Sequence, residues 1–220
     1  MQVQTVTRVL VWSRWLRLSH WSLGIATLGL LMTGWLIGLD TGYSTIITDL
    51  HYLLSGVFLP ALLLRLYLLF FGSGTDLLED CEPNLHRLSQ AWEVIRFYLT
   101  LGKLPLPKWY SHNPLWGPIY LALFFFLILS AASGLFILNN MFFAVGISML
   151  DLHLLSFYFI LTFTVLHMIA VFAHDTSNRA GDISAMINGF RQFEISELTT
   201  NQNPGEQTIP LENLIKTLKQ

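Results

Sequence analysis

Four long, predominantly apolar stretches dominate the chain, at roughly 18–39, 46–71, 116–138 and 152–173. A bilayer's hydrocarbon core is about 30 Å thick, a depth that about 20 helical residues cross. Inside it every backbone polar group needs an internal partner, which leaves helices or closed barrels. The chain therefore predicts an all-α fold, an integral membrane four-helix transmembrane bundle. With 53% hydrophobic and 12% charged residues it is too apolar for an ordinary soluble domain. The first stretch has the position of a secretory signal. It is longer than one, however, carries Arg14, Arg17 and His20 at its start, and lacks a small-x-small site near Leu39, so it reads as a retained span.

The cations orient the bundle. Segments 40–50 and 139–151 contain no Lys or Arg. Arg8, Arg14 and Arg17 precede the first span; Arg87, Arg96, Lys103 and Lys108 lie between the second and third; Arg179, Arg191, Lys216 and Lys219 follow the fourth. Every Lys and Arg except Arg65, inside span two, thus falls on one side, which the positive-inside rule makes cytoplasmic. Both termini are expected there, in a bacterial inner membrane. A net charge of −2 gives no pull toward nucleic acid, and the single Cys81 excludes an internal disulfide.

Residues 1–194 form one domain with a cytoplasmic loop at 73–115, and 195–220 a polar tail. Within the loop, 84–102 reads as an amphipathic helix, with Leu85, Leu88, Trp92, Ile95 and Leu99 on one face. It suits either the headgroup layer or a soluble helix packed on the loop. Pro105, Pro107 and Pro114 end helicity before span three. Asp182 starts a short helix; 199–208 reads as a linker and 211–218 as a last surface helix. Trp12, Trp15, Trp35, Trp109 and Trp116 read as interfacial anchors, and His174 as interfacial too.

Four histidines lie within the spans: His20, His51, His153 and His167. Imidazole in lipid is costly unless satisfied, by a neighbouring helix or by a functional partner. Their depths match in pairs. His20 begins an outward-running helix and His51 an inward-running one. His153 and His167 are fourteen residues apart in span four, ~21 Å along the axis and nearly four whole turns, so they share a face. His51 therefore stands level with His153 near the outside, and His20 with His167 near the inside. Two neutral imidazoles fill both axial positions of a haem iron, which suits electron transfer. Two separated pairs make a poor closed zinc site. With no CxxCH in the chain, haem held by these ligands is of the b type.

The same interval recurs. Fourteen residues after His20 comes Gly34, whose bare backbone leaves room for a haem plane or for close helix packing. Fourteen after His51 comes Arg65, placed either to pair with haem propionates or to snorkel inward. His112-Asn113-Pro114 opens span three as a turn.

On these residues the chain resembles the cytochrome b subunit of membrane-bound nickel–iron hydrogenases. It is also similar to the wider family of diheme quinone-reactive cytochromes that includes formate dehydrogenase gamma subunits. The likeness covers about 8–194. It is carried by Arg17-Leu18-Ser19-His20-Trp21, Thr33-Gly34, His51 with Gly56 and Arg65, His112-Asn113-Pro114, Ser133-Gly134, Asp151-Leu152-His153, His167, and Ile183 to Arg191. The resemblance implies two haems b, ligated by His51/His153 on the dehydrogenase side and by His20/His167 on the quinone side. It further implies a quinone contact at Asn113, beside His112, and external iron–sulfur or hydrogenase subunits as the electron source. The connection 139–151 is shorter than that family's, which leaves the dehydrogenase partner open. The rival readings are a stand-alone quinone oxidoreductase such as a superoxide oxidase, against which the long cytoplasmic segment 73–115 and the hydrogenase-like tail argue, and a haem-free anchor.

Overall fold

The computed structural model describes residues 6–39, 42–77, 85–104, 109, 112–177 and 182–194. Cys81, Pro105, Pro107, Lys108, Arg179 and the whole of 195–220, with its linker and last helix, lie outside the described residues. The chain falls into two units. One is Leu10–Arg191; the other combines Met1–Val9 with Gln192–Gln220, of which 6–9 and 192–194 are described, as strand.

Four helices are long and apolar enough to cross a membrane: α1 (Arg14–Gly38), α2 (Ser44–Phe71), α4 (Trp116–Leu138) and α5 (Met149–Ser177). Between α2 and α4 lies α3 (Leu85–Leu99), and after α5 comes α6 (Asp182–Asn188). Helix α1 starts at Ser13, whose hydroxyl accepts the Leu16 N–H at 3.0 Å. Helix α3 stops short of the expected 102 because Leu101 and Gly102 take φ of 52° and 79°, and the Gly102 N–H turns back to the Phe97 carbonyl. Helix α5 runs beyond the expected 152–173 at both ends.

Helices α1 and α2 form one antiparallel hairpin and α4 and α5 the other. The hairpins meet through Ala26, Leu31, Phe58, Leu62, Leu127 and Ile160, a core drawn from all four spans. Their outer surfaces remain apolar. Ile25, Met32, Leu53 and Phe70 are each 60% or more exposed, a surface that lipid solvates and water would not.

Short strands were not expected. Phe143–Ala144 (β2) and Ile147–Ser148 (β3) pair antiparallel between α4 and α5, around a Val145-Gly146 turn with φ of 52° and 77°. Both turn residues have positive φ, the requirement of a type I′ hairpin, but a β-branched Val stands where Asn or Asp would signal it. Val6–Leu10 (β1) likewise pairs with Phe190–Glu194 (β4).

Two expectations fail. Trp12 and Trp116 are buried rather than interfacial, whereas Trp15 and Trp35 are exposed as expected. His174 is only 5% exposed, enclosed by the rings of Phe97, Tyr98 and Trp109. Sequence position puts it at a helix end; the cover comes from α3 and the loop beyond it, whose packing the pattern along α5 does not encode.

The segment Ile183–Arg191 docks on the start of α1. The Arg17 guanidinium donates to the Ile187 carbonyl, the Trp21 indole donates to the Met186 carbonyl at 3.0 Å, and Val11 and Trp12 donate to the Gly189 carbonyl. Donors thus satisfy the orphan carbonyls at the end of α6. Gly189 has φ of 91°, and a Cβ there would come 2.9 Å from Leu10 Cδ1 and from the Trp12 carbonyl oxygen. Gly189→Val combines a left-handed backbone with two collisions, for a cost of about 1–3 kcal/mol or more. Lower thermal stability of the detergent-solubilised protein than with Arg8→Ala in the same assay is the expected result.

Candidate functional site

The four membrane histidines come together in two pairs. His51 on α2 faces His153 on α5 with ring centroids 6.4 Å apart, and His20 on α1 faces His167 on α5 at 6.3 Å. An ion on the line between two facing rings, bound by one nitrogen of each at about 2 Å, would hold the ring centres roughly 6.3 Å apart. Both pairs have this separation. Among the described residues no three His, Cys, Asp or Glu side chains cluster as a closed metal site would require.

Neighbouring groups fix which ring nitrogen is free in the outer pair. His153 Nδ1 lies 3.1 Å from the Ser130 carbonyl oxygen, which can only accept, so Nδ1 carries the proton. It also lies 3.1 Å from Ser133 Oγ, whose own proton is directed to the Leu129 carbonyl. His51 Nδ1 lies 2.8 Å from Thr33 Oγ1, whose proton likewise goes to a carbonyl of its own helix, Gly29. Each ring therefore donates through Nδ1 and keeps the Nε2 lone pair for a ligand, the outer-shell arrangement of metal-binding histidines. In the inner pair His167 stacks on Phe163, and His20 Nδ1 is buried without a partner.

Glycines make room beside the outer pair. A Cβ on Gly34 would lie 3.7 Å from His51 Cε1 and 3.6 Å from Phe157, an ordinary contact. A Cβ on Gly134 would lie 3.3 Å from His153 Cε1, tighter than most packed side chains. Arg65, 8% exposed, donates to the Asp76 carbonyl at 3.2 Å, lies over the Phe124 ring and is within electrostatic reach of His20. Its head is thus buried at the inner level, not snorkelled to water.

Beside the inner pair stands an aromatic and polar group built by α3, the start of α4, and α5. Trp116 and Tyr120 both approach the His167 ring, and His112 packs against Tyr120 and Trp12. Asn113 Oδ1 accepts the Leu115 N–H at 3.0 Å, the turn role its sequence position suggests. Its Nδ2, however, is buried and approaches the Tyr98 hydroxyl without reaching hydrogen-bonding geometry, a costly state that a ligand oxygen would relieve. A cleft of about 310 Å³, lined by Ala91, Trp92 and Ile95 of α3 and by Pro114, Leu115 and Pro118, adjoins this turn. Tyr98 follows on the same side of α3. Its hydroxyl lies 2.8 Å from His174 Nε2 and accepts the Trp116 indole N–H at 3.1 Å. Burial raises the phenol pKa above its ordinary value, opposed by the Trp116 and Asn113 side chains, so it stays protonated at neutral pH. Thr33 and Ser133 were legible only as parts of a family likeness. Nothing in the spacing pointed to Tyr98.

A four-span bundle with stacked imidazole pairs is the architecture of a membrane cytochrome b that transfers electrons through b-type haem. The chain belongs to the prokaryotic cytochrome b561 family, whose profile matches residues 11–189. Two relatives, from Azotobacter chroococcum mcd 1 and Azotobacter vinelandii, are each described as "Probable Ni/Fe-hydrogenase B-type cytochrome subunit". Each is 26% identical over 226 residues, covering 88% of this chain and 92% of the relative. No solved structure matches. The chain is accordingly a multi-pass bacterial membrane protein and an electron-transfer cytochrome.

Proposed function

We propose that the protein holds two haems b, one between His51 and His153 and one between His20 and His167, and carries electrons from a hydrogenase to membrane quinone. The observation that carries this reading is the pair of imidazole separations, 6.4 and 6.3 Å, both matching a bis-imidazole iron. When bound, the haems supply one-electron redox chemistry; the protein tunes it through ligand identity, burial and hydrogen bonds.

The chain's own residues have separate roles. Thr33, Ser133 and the Ser130 carbonyl orient the outer rings. Gly34 and Gly134 leave space beside them, and the Arg65 guanidinium at the inner level offers charge to a propionate. Asn113 Nδ2 donates to a quinone oxygen, with His112 nearby and the apolar cleft taking the ring's tail. The electron source is an iron–sulfur or hydrogenase subunit on the outer face, a reading supported by the relatives' printed names. The distribution of Lys and Arg supports an inner-membrane orientation with both termini cytoplasmic.

The test uses the full chain in proteoliposomes, reduced with dithionite and mixed with decylubiquinone. Reoxidation of the α band is expected to slow at least tenfold in Asn113→Leu, with haem content unchanged, because a buried donor aimed at an oxygen is lost. Equal rates in the two proteins would remove Asn113 from the quinone site. The short outer connection favours a second reading, a self-sufficient oxidoreductase, only in that it leaves the identity of the outer-face partner open. Purification in mild detergent separates these readings: co-elution of a hydrogenase subunit supports the first, and an active lone chain the second.

A further inference from the structure

We infer that Tyr98 and His174 form the proton-delivery pair of the quinone site, a step that rests on the quinone reading above. His174 is buried and Tyr98 half-buried, and the two are hydrogen-bonded and unused by haem ligation. His174 is 5% exposed yet sits in the last turn of α5, on the side of the chain where the segment 182–191 begins. Its Nε2 is 2.8 Å from the Tyr98 hydroxyl. A phenol oxygen accepts two hydrogen bonds and donates one. The Trp116 indole already supplies one donor, and in the tautomer that carries its proton on Nε2 His174 supplies the second. The phenol proton is then left to donate elsewhere, in the neighbourhood where the Asn113 amide is buried without an acceptor in hydrogen-bonding geometry. A quinone oxygen placed there meets two donors at once. Two neighbouring donors, one of them a buried amide that reaches nothing better than a loose approach to the Tyr98 oxygen, describe a site for a carbonyl oxygen.

The transfer balances as follows. A quinone oxygen that has gained an electron from the cytochrome takes the Tyr98 O–H proton. The phenolate takes the His174 Nε2 proton, and the imidazole is reprotonated from water. One such cycle supplies one electron and the proton of the oxygen held at Asn113, with both residues restored; the cytochrome supplies the second electron and water the proton of the opposite ring oxygen, which completes the quinol. The charged and titratable groups acting on His174 are Asp182 and Arg191, joined at 2.7 Å, and His167 further back on α5. Asp182 retains about a quarter of its side-chain exposure and marks the solvent end of the path. Tyr98 meets His174 from α3, with Asn113 and Trp116 from the start of α4. Trp116 touches both Tyr98 and the His167 ring, so the proton path and the inner imidazole pair share one side chain.

The proteoliposome assay with decylubiquinone separates this inference from the one beneath it. Wild-type reoxidation is expected to slow about twofold or more in D2O, and Tyr98→Phe and His174→Gln to lower the rate roughly 10²-fold, the contribution of a positioned proton donor. Both variants should keep full haem content, lose the wild-type pH profile, and recover rate with added azide or formate, small acids that carry protons to a vacated site. A structural role would not be rescued in this way. A wild-type protein that decylubiquinone fails to reoxidise overturns the quinone reading and this inference together. A wild type that is reoxidised without a solvent isotope effect, or variants that keep its rate and pH profile, overturns the Tyr98–His174 pair alone.

Discussion

On the proposed two-haem reading, replacing either His51 or His153 by Ala is expected to remove one haem of two, and replacing either His20 or His167 the other. The loss within a pair is not additive: the double variant His51→Ala/His153→Ala should retain the same single haem as either single variant. The physical reason is that both members of a pair would hold the same group. Removing one would leave the other imidazole buried without its partner and the group held from one side alone. Because His153 and His167 share α5 at two depths, the two losses are expected to be independent, with distinct α-band and potentiometric components disappearing in each set. The pyridine haemochrome assay on purified protein reads the count directly. Four single variants that all lose the same haem, or none, would dissolve the pairing.

The second large effect comes without touching a ligand. Gly134→Ile keeps His51 and His153 but puts a branched side chain where even a Cβ lies 3.3 Å from His153 Cε1. The ring must rotate, and rotation breaks its Nδ1 bonds to Ser133 and to the Ser130 carbonyl. Outer-shell losses of this kind typically cost 10- to 100-fold in metal affinity, on the order of 1.4–2.8 kcal/mol, and the steric term adds to that. The outer haem is therefore expected to be lost or to become high-spin, while the inner haem remains. Gly134→Ala, which asks the ring to yield only a few tenths of an ångström, should keep the haem but shift its potential. An unchanged low-spin signal in Gly134→Ile would mean that α4 does not line the outer site.

Much of this arrangement was legible in the sequence because the membrane simplifies the code. A span must be helical, so depth follows from residue count, and the fourteen-residue interval of His153 and His167 fixes both height and face. That reasoning placed the four histidines in the pairs the structure has. It also put Arg65 at the inner level, where the guanidinium is buried near His20. Asn113 could be read only as half of what it is, since turn chemistry accounts for Oδ1 but nothing local betrays the stranded Nδ2.

Contacts between segments far apart in the chain were not legible. His174 looks interfacial by position and is buried, because α3 and Trp109 close over it. Trp116 reads as a membrane anchor but packs inward on His167. The Val145-Gly146 hairpin hides behind a β-branched residue that strand statistics place elsewhere. Thr33 and Ser133 look like ordinary helix residues that bond to their own carbonyls. Only the tertiary fold shows that the same oxygens also hold His51 and His153.

Haem counted against polypeptide in the purified wild-type chain, with electron paramagnetic resonance of the oxidised protein, bears on the central claim most directly. Two haems b per chain, both low-spin as bis-imidazole ligation requires, is the expected result. One haem or none per folded chain, or a high-spin signal from either site, would contradict it.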